Sequence, residues 1–311
     1  MLEICLLGTA AAVPLPERAL SAATLRCGGR RILFDCGEGT QVALRREHIS
    51  PVKIDLIALT HYHGDHCFGL PGLLQSMALQ ERREPLWITG PADLEQAMAP
   101  ILALAGELGF PLQLLSTPEE GLALSELHPA WPAGARLRAV PTRHRVPSQG
   151  YVFTLSRPGR FDVAAARALG VPQTDWSRLQ AGKPVFAGGS WVRPEQVLGP
   201  ERPGLKLVFS GDTAACRELE EAAAEADLLI HEATYADEEE KAALYGHSTF
   251  SQAGTLAARA GVRRLWLYHF SQTIGEPGQA LPLAQALFPA AECGYDGLSA
   301  ALAFRDPTEK D

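Results

Sequence analysis

Thr60-His61-Tyr62-His63-Gly64-Asp65-His66 sets three imidazoles and a carboxylate within six positions, directly behind the apolar run Ile54-Asp55-Leu56-Ile57-Ala58-Leu59. The run predicts a buried strand, which puts the histidines on the loop at its C-terminal end. Packing alone does not account for them, because each polar ring withdrawn from water needs a partner. A metal ion supplies that partner. His61 and His63 stand two apart on a turn that Gly64 can tighten, whereas the neighbours Asp65 and His66 diverge, so the layout suits two adjacent ions better than one. Nitrogen and oxygen donors without thiolate favour zinc, with manganese or iron as competitors. The plainer reading, a polar surface loop with histidines by chance, fits a cluster this dense poorly.

Outward from this loop, carboxylates and imidazoles recur where other strands should end. Arg31 to Phe34 leads to Asp35-Cys36-Gly37-Glu38-Gly39-Thr40-Gln41. Asp35 there is placed to orient a ligand from behind, although an ordinary polar turn before a helix explains the stretch about as well. Arg136 to Val140 leads into Pro141-Thr142-Arg143-His144-Arg145, Leu205 to Phe209 into Ser210-Gly211-Asp212, and Leu228 to Ile230 into His231-Glu232-Ala233-Thr234. Leu265 to Tyr268, expected as the last core strand, leads into His269-Phe270-Ser271. His61, His63, Asp65, His66, His144, Asp212 and His269 thus form a set able to hold two ions about 3.5–4 Å apart, and an aspartate in the position of Asp212 can bridge them. Arg143 and Arg145, flanking His144, are suited to a phosphate. By contrast, His48 and His128 lack clustered partners and read as surface histidines.

With 311 residues and 46% hydrophobic content, the chain can bury a sizeable core, read as one α/β domain over residues 1–311 with an insertion. The insertion runs from Arg157 to Pro203, is rich in Pro, Gly and Arg, and shows one helical stretch, Val163 to Leu169. In it Arg157, Arg160, Arg167, Arg178 and Lys183 stand against Asp162 and Asp175. This locally basic arm is the main hint of a polyanionic partner, with Arg157, Arg160 and Arg167 as candidate contacts. The formal net charge of −8 gives no such hint for the surface as a whole. Cys5, Cys27, Cys36, Cys67, Cys216 and Cys293 show no C-x-x-C spacing, which argues against a disulfide framework and a thiolate zinc site. No apolar run approaches the ~18 residues of a membrane span and the first residues show no signal-peptide pattern, so a cytoplasmic protein without membrane contact is expected.

The His-x-His-x-Asp-His spacing of His61, His63, Asp65 and His66 after a strand resembles the signature of the metallo-β-lactamase superfamily. That resemblance implies an α/β fold, a four-layer αβ/βα sandwich whose loops hold one or two metals. His231-Glu232-Ala233-Thr234 and His247-Ser248-Thr249, with Phe34-Asp35-Cys36-Gly37-Glu38-Gly39-Thr40-Gln41 and Gly69-Leu70-Pro71-Gly72-Leu73, narrow the resemblance to ribonuclease Z (tRNase Z). It spans nearly the whole chain, from Leu7-Gly8-Thr9 to His269-Phe270-Ser271. The family implies a zinc endonuclease, usually a homodimer, that removes the 3′ trailer from precursor tRNA and leaves a 3′-hydroxyl.

Carried onto this chain, the resemblance implies that His61, His63 and His144 hold one zinc, that Asp65, His66 and His269 hold a second, and that Asp212 bridges them. Asp65 would also orient or deprotonate the attacking water, while His247, oriented by Glu232, would contact the scissile phosphate and protonate the leaving oxygen. The alternative for His247 is a cap for the helix predicted over Ser251 to Ala260. The insertion falls where the family carries a tRNA-gripping exosite. Three stretches depart from the family pattern. Val171-Pro172-Gln173-Thr174-Asp175 replaces a Pro/Gly cluster, Gln272-Thr273-Ile274 stands where an arginine and an aromatic residue are usual, and Gly8-Thr9-Ala10-Ala11-Ala12 is one glycine short. All bear on RNA recognition and leave a second expectation open, a ribonuclease-Z-like paralogue hydrolysing small phosphodiesters or another ester.

Overall fold

A computed structural model of the chain describes residues 1–305. The first half supplies β1 (Leu2–Gly8), β2 (Ala22–Cys27), β3 (Arg30–Phe34), β4 (Ile54–Ala58), β5 (Leu86–Thr89) and β6 (Leu112–Leu115). The second half supplies β7 (Leu122–Ala123), β8 (Ala135–Pro141) and β9 (Gln149–Arg157), then a separate hairpin of β10 (Val185–Ala187) and β11 (Ser190–Val192). It continues with β12 (Arg202–Phe209), β13 (Leu228–Glu232), β14 (Leu265–Tyr268), β15 (Ala291–Cys293) and β16 (Ser299–Leu302). Two seven-stranded sheets result, ordered β16-β1-β2-β3-β4-β5-β6 and β15-β14-β13-β12-β9-β8-β7. Contrary to the expectation from sequence, Tyr268 does not end the last core strand. β15 extends the second sheet and β16 returns to pair antiparallel with β1. Both are short and carry no β-branched residue, so their strand character comes from the partner and not from propensity.

Alternation along the strands sorts side chains into layers. Leu2, Ile4 and Leu6 point between the sheets, where they meet Phe153, Leu207 and Trp266. Cys5 and Leu7 point outward into a second core, covered by the helices Thr40–Arg46, Leu70–Leu79 and Leu94–Ala105. The outer face of the second sheet is covered by Arg217–Ala223, Phe250–Ala260 and Pro277–Gln285. Helices, sheet, sheet and helices make the four-layer sandwich. Covered on both faces, β4 and β13 are buried at every position. Thr249 caps Phe250–Ala260, its hydroxyl accepting from the Gln252 N–H while the Gln252 side chain accepts from the Thr249 N–H, so capping does not explain His247.

Strand direction places the chemistry. β3, β4 and β5 run parallel, as do β12, β13 and β14, and β8 shares the direction of β12 because β9 lies antiparallel between them. The loops carrying Asp35, the histidine cluster, His144, Asp212 and His269 therefore gather at one edge. The insertion leaves from the other. Arg157 and Arg202 are paired ladder residues, so the segment outside the sandwich is 158–201, slightly shorter than the Arg157 to Pro203 expected. It holds a second helix, Trp176–Gln180, and the β10–β11 hairpin, built around its own small core of Ala166, Val171, Leu179, Val185 and Val192. Phe186 and Trp191 pair on the exposed side of that hairpin, ring centroids 5.8 Å apart. Nine residues of β9 at about 3.3 Å each separate this arm from the metal-loop edge by about 30 Å. Among the described residues no helix is long and apolar enough to cross a membrane.

Candidate metal centre and active site

The strand-end loops converge on one cluster. Ligand atoms of His61, His63 and His144 lie within 4.8 Å of one another, as do those of Asp65, His66 and His269, and Asp212 joins His61 and His66 in a third such group. The two oxygens of Asp212 face different groups: Oδ1 is 3.4 Å from His66 Nε2 and 3.3 Å from His269 Nε2, while Oδ2 is 3.8 Å from His61 Nε2. Asp35 and His269 adopt left-handed backbone, φ 54° and 60°, at a cost of order 1 kcal/mol or more each, a strain that packing around the site sustains. Gly37 allows the loops to meet, since a Cβ there would stand 2.5 Å from the Asp65 carbonyl oxygen.

Partners behind the rings set which nitrogen faces inward. His66 Nδ1 donates to Asp35 Oδ2 at 2.8 Å, and His144 Nδ1 donates to the Gly246 carbonyl at 2.8 Å. Thr60 Oγ1 donates to Asp35 Oδ2 and accepts from His61 Nδ1 at 3.0 Å. Thr234 Oγ1 likewise donates to Glu232 Oε2 and accepts from His269 Nδ1 at 2.9 Å. Each of these four imidazoles thus turns Nε2 into the cluster. Ring nitrogens there face one another at short range: His66 Nε2 and His269 Nε2 are 3.1 Å apart, and His63 Nδ1 is 3.0 Å from His61 Nε2 and 3.2 Å from His144 Nε2. Asp212 Oδ1 is buried without a hydrogen-bond donor among the described residues. Ring nitrogens and carboxylate oxygens gathered this closely fit a cation, and nitrogen with carboxylate oxygen suits a divalent transition metal.

Electrostatics divide the cluster: burial would lower His66, but the carboxylates of Asp212, Asp35 and Asp65 hold it well above the usual histidine range. Burial holds His61, His63 and His144 below the usual histidine range, in the neutral form that ligates. For Asp212, burial works towards protonation but the surrounding imidazoles, His269 and His66 foremost, keep it well below the carboxylate range. Beside the cluster, His247 Nδ1 lies 2.8 Å from Glu232 Oε1. Burial disfavours its charge, yet the Glu232 carboxylate prevails and lifts His247 to about 9. Glu232 is wholly buried and saturated, accepting also from the Thr213 N–H, the Thr234 N–H and the Thr234 hydroxyl. His247 Nδ1, the atom 3.8 Å from Asp212 Oδ2, is therefore already committed.

A cleft of about 520 Å³ opens over these groups, lined by Asp65, Asp212, His247 and His269 together with Phe68 and Arg145. Arg145 lies over the Tyr245 ring at 5.1 Å, and Arg143 is exposed on the same loop. The other candidate arginines are not brought here. Arg157 donates to the Arg305 carbonyl at 2.8 Å and lies over Phe304 at the foot of the arm, while Arg160 and Arg167 are exposed on the arm itself. Charge grouping along a chain carries no information on distance. Cys67 is a buried thiol, not a ligand; its Sγ contacts the His63 carbonyl at 3.2 Å and burial pushes it up to about 11. Three contributors had escaped the sequence reading: the hydroxyls of Thr60 and Thr234, and the Ala12 N–H that donates to Asp65 Oδ2 at 2.7 Å. The threonines adjoin the motifs, whereas a backbone donor 53 residues away has no sequence signal.

Residues 192–270 match the family described as Beta-lactamase superfamily domain, and residues 2–107 that described as Anti-Pycsar protein Apyc1. Over 98% of its length the chain is 39% identical to a ribonuclease Z of Agathobacter rectalis, of which it covers 99%. It is 41% identical to that of Salinibacter ruber, over all of this chain and 96% of the relative. The chain belongs to the ribonuclease Z family. The crystal structure of human tRNase Z, short form, superposes with a TM-score of 0.68 at 28% identity, covering 97% of this chain and all of that one. The ribonuclease Z fold is thus the four-layer sandwich described above, with the cleft at the shared edge of its sheets.

Proposed function

We propose that this protein is a metal-dependent endoribonuclease that removes the 3′ trailer from precursor tRNA, with the phosphodiester cut in the cleft above Asp212. The observation that carries the reading is the pair of three-ligand groups joined by the two oxygens of Asp212, with Glu232–His247 facing the same cleft. His61, His63 and His144 would hold one zinc ion, Asp65, His66 and His269 the other, and Asp212 both. Such a pair, when bound, draws charge from a phosphate and makes water a nucleophile near neutral pH. Asp65, anchored through Oδ2 by the Ala12 N–H, orients the attacking water and takes its proton. His247, charged through Glu232, hands a proton to the departing 3′-oxygen of the tRNA. Arg145 meets the phosphate from the rim. Zinc as the metal, a homodimer and a cytoplasmic setting belong to the same reading and rest on the family.

End-labelled precursor tRNA with a 3′ trailer, incubated with zinc or manganese, is expected to be cut beside the discriminator base, and the His63→Ala variant to leave it intact. Turnover of a chromogenic phosphodiester without precursor cleavage would overturn the tRNA reading in favour of the small-phosphodiester paralogue.

The arm holds the tRNA body away from the scissile bond, using Arg160 and Arg167 for phosphates and the exposed Phe186–Trp191 pair for bases. Because its core is self-contained and its neck closes through the Gly199 N–H to Arg160 carbonyl bond at 2.9 Å, residues 161–198 are replaceable by a short Gly/Ser linker. KM for precursor tRNA should rise about tenfold or more and lose part of its salt dependence, with diester turnover retained. Unchanged tRNA affinity would remove the arm from the reading.

A further inference from the structure

The helical turn Gly64–Cys67, which carries Asp65 and His66, ends on Phe68, whose N–H bonds back to the Gly64 carbonyl at 2.9 Å. Phe68 is 69% exposed, yet it lines the metal cleft beside Asp65 and His63. Isolated apolar residues are ordinary on convex surface; a large ring held open inside a polar, concave site is not. Its position is fixed from below. A Cβ on Gly64 would stand 2.5–2.8 Å from three ring carbons of Phe68, so the ring lies directly against the glycine backbone. Gly64 is thus what lets an aromatic face lie over the ligand loop one helical turn from Asp65. The same cleft is also lined by the Tyr245 ring under the Arg145 guanidinium.

We propose that Phe68 is a stacking platform for a nucleobase flanking the scissile phosphate, and so a positioning residue for single-stranded RNA at the trailer junction. Unpaired bases bind aromatic faces irrespective of sequence. Such a contact suits a substrate in which the cut, not the base, is constant. A ring borne on the same turn as Asp65 and His66 transmits its hold directly to the register of the phosphate over the ligands. The proposal rests on the tRNA-processing reading given above.

The test is a cycle between ring and base. Phe68→Ala should raise KM for precursor tRNA about tenfold, with a smaller change in kcat and unchanged zinc content, while Phe68→Trp restores KM. Precursors with an abasic residue on one side of the junction or the other should show a comparable loss with the native protein. On one of them Phe68→Ala should add nothing further. Multiplicative losses on both substrates, or a silent Phe68→Ala, would overturn the stacking assignment and leave the tRNA reading intact. A lower sedimentation mass for Phe68→Ala would also overturn it, by assigning the ring to a contact between copies. Native protein that turns over a small diester but no precursor would overturn both.

Discussion

Asp212→Ala is expected to lower kcat for phosphodiester cleavage by about a thousandfold or more and to reduce bound metal below two ions per chain. The aspartate stands between the two three-residue groups, with Oδ1 towards His66 and His269 and Oδ2 towards His61. Its removal takes a carboxylate from between the inward-facing nitrogens of His61, His66 and His269. Asp65 remains on one side, but His61, His63 and His144 then form an uncharged set, which binds a divalent ion less tightly and holds the two ions in no fixed relation. Asp212→Asn keeps the shape and one acceptor while losing the charge, so it should fall between the native protein and alanine in metal content. Metal per chain after dialysis, measured by plasma emission beside kcat, decides the point. Two retained ions with activity within tenfold of native would exclude Asp212 as the shared ligand.

Glu232→Gln should lower kcat on precursor tRNA by about 10²- to 10³-fold and spare a diester with a good leaving group, such as p-nitrophenoxide, to within about tenfold. The asymmetry follows from the role. His247 is held protonated by the Glu232 carboxylate 2.8 Å away. A 3′-alkoxide leaving group needs that proton, and p-nitrophenoxide does not. His247→Ala should show the same pattern, and the double variant should be little worse than either single one, because the two residues act as a unit. Glu232 accepts four hydrogen bonds, one of them from the Thr234 hydroxyl that also holds His269. The amide will therefore cost about 1–3 kcal/mol of stability, and metal content must be matched before rates are compared. Equal losses on both substrates would make Glu232 a structural support and not the partner of an acid.

The candidate ligands, which the structure brings into one cluster, stood out in the chain itself, and the reason is local. A dense run of imidazoles behind an apolar strand has few physical explanations, and Asp212 and His269 each stand one to three residues past a strand that hydrophobicity marks plainly. The four-layer sandwich was implied by the family resemblance of the His61–His66 loop and not by the pattern of strands and helices itself.

What lay beyond the sequence was direction, distance and hydrogen-bond partner. His66 and His269, 203 positions apart, meet at 3.1 Å because β4 and β14 present their C-terminal ends to the same edge. A linear pattern records the order of strands but not their sense. The same topology carries the basic arm to the far end of β9, about 30 Å from the cleft, a separation that its charge could not give. β15 and β16 are strands because β14 and β1 offer open ladders, since their own residues have little preference. The ring orientations that aim Nε2 inward depend on Asp35, Thr60, Thr234 and the Gly246 carbonyl. Apart from the contact between the neighbours Thr60 and His61, these join separate loops and so arise with the tertiary fold.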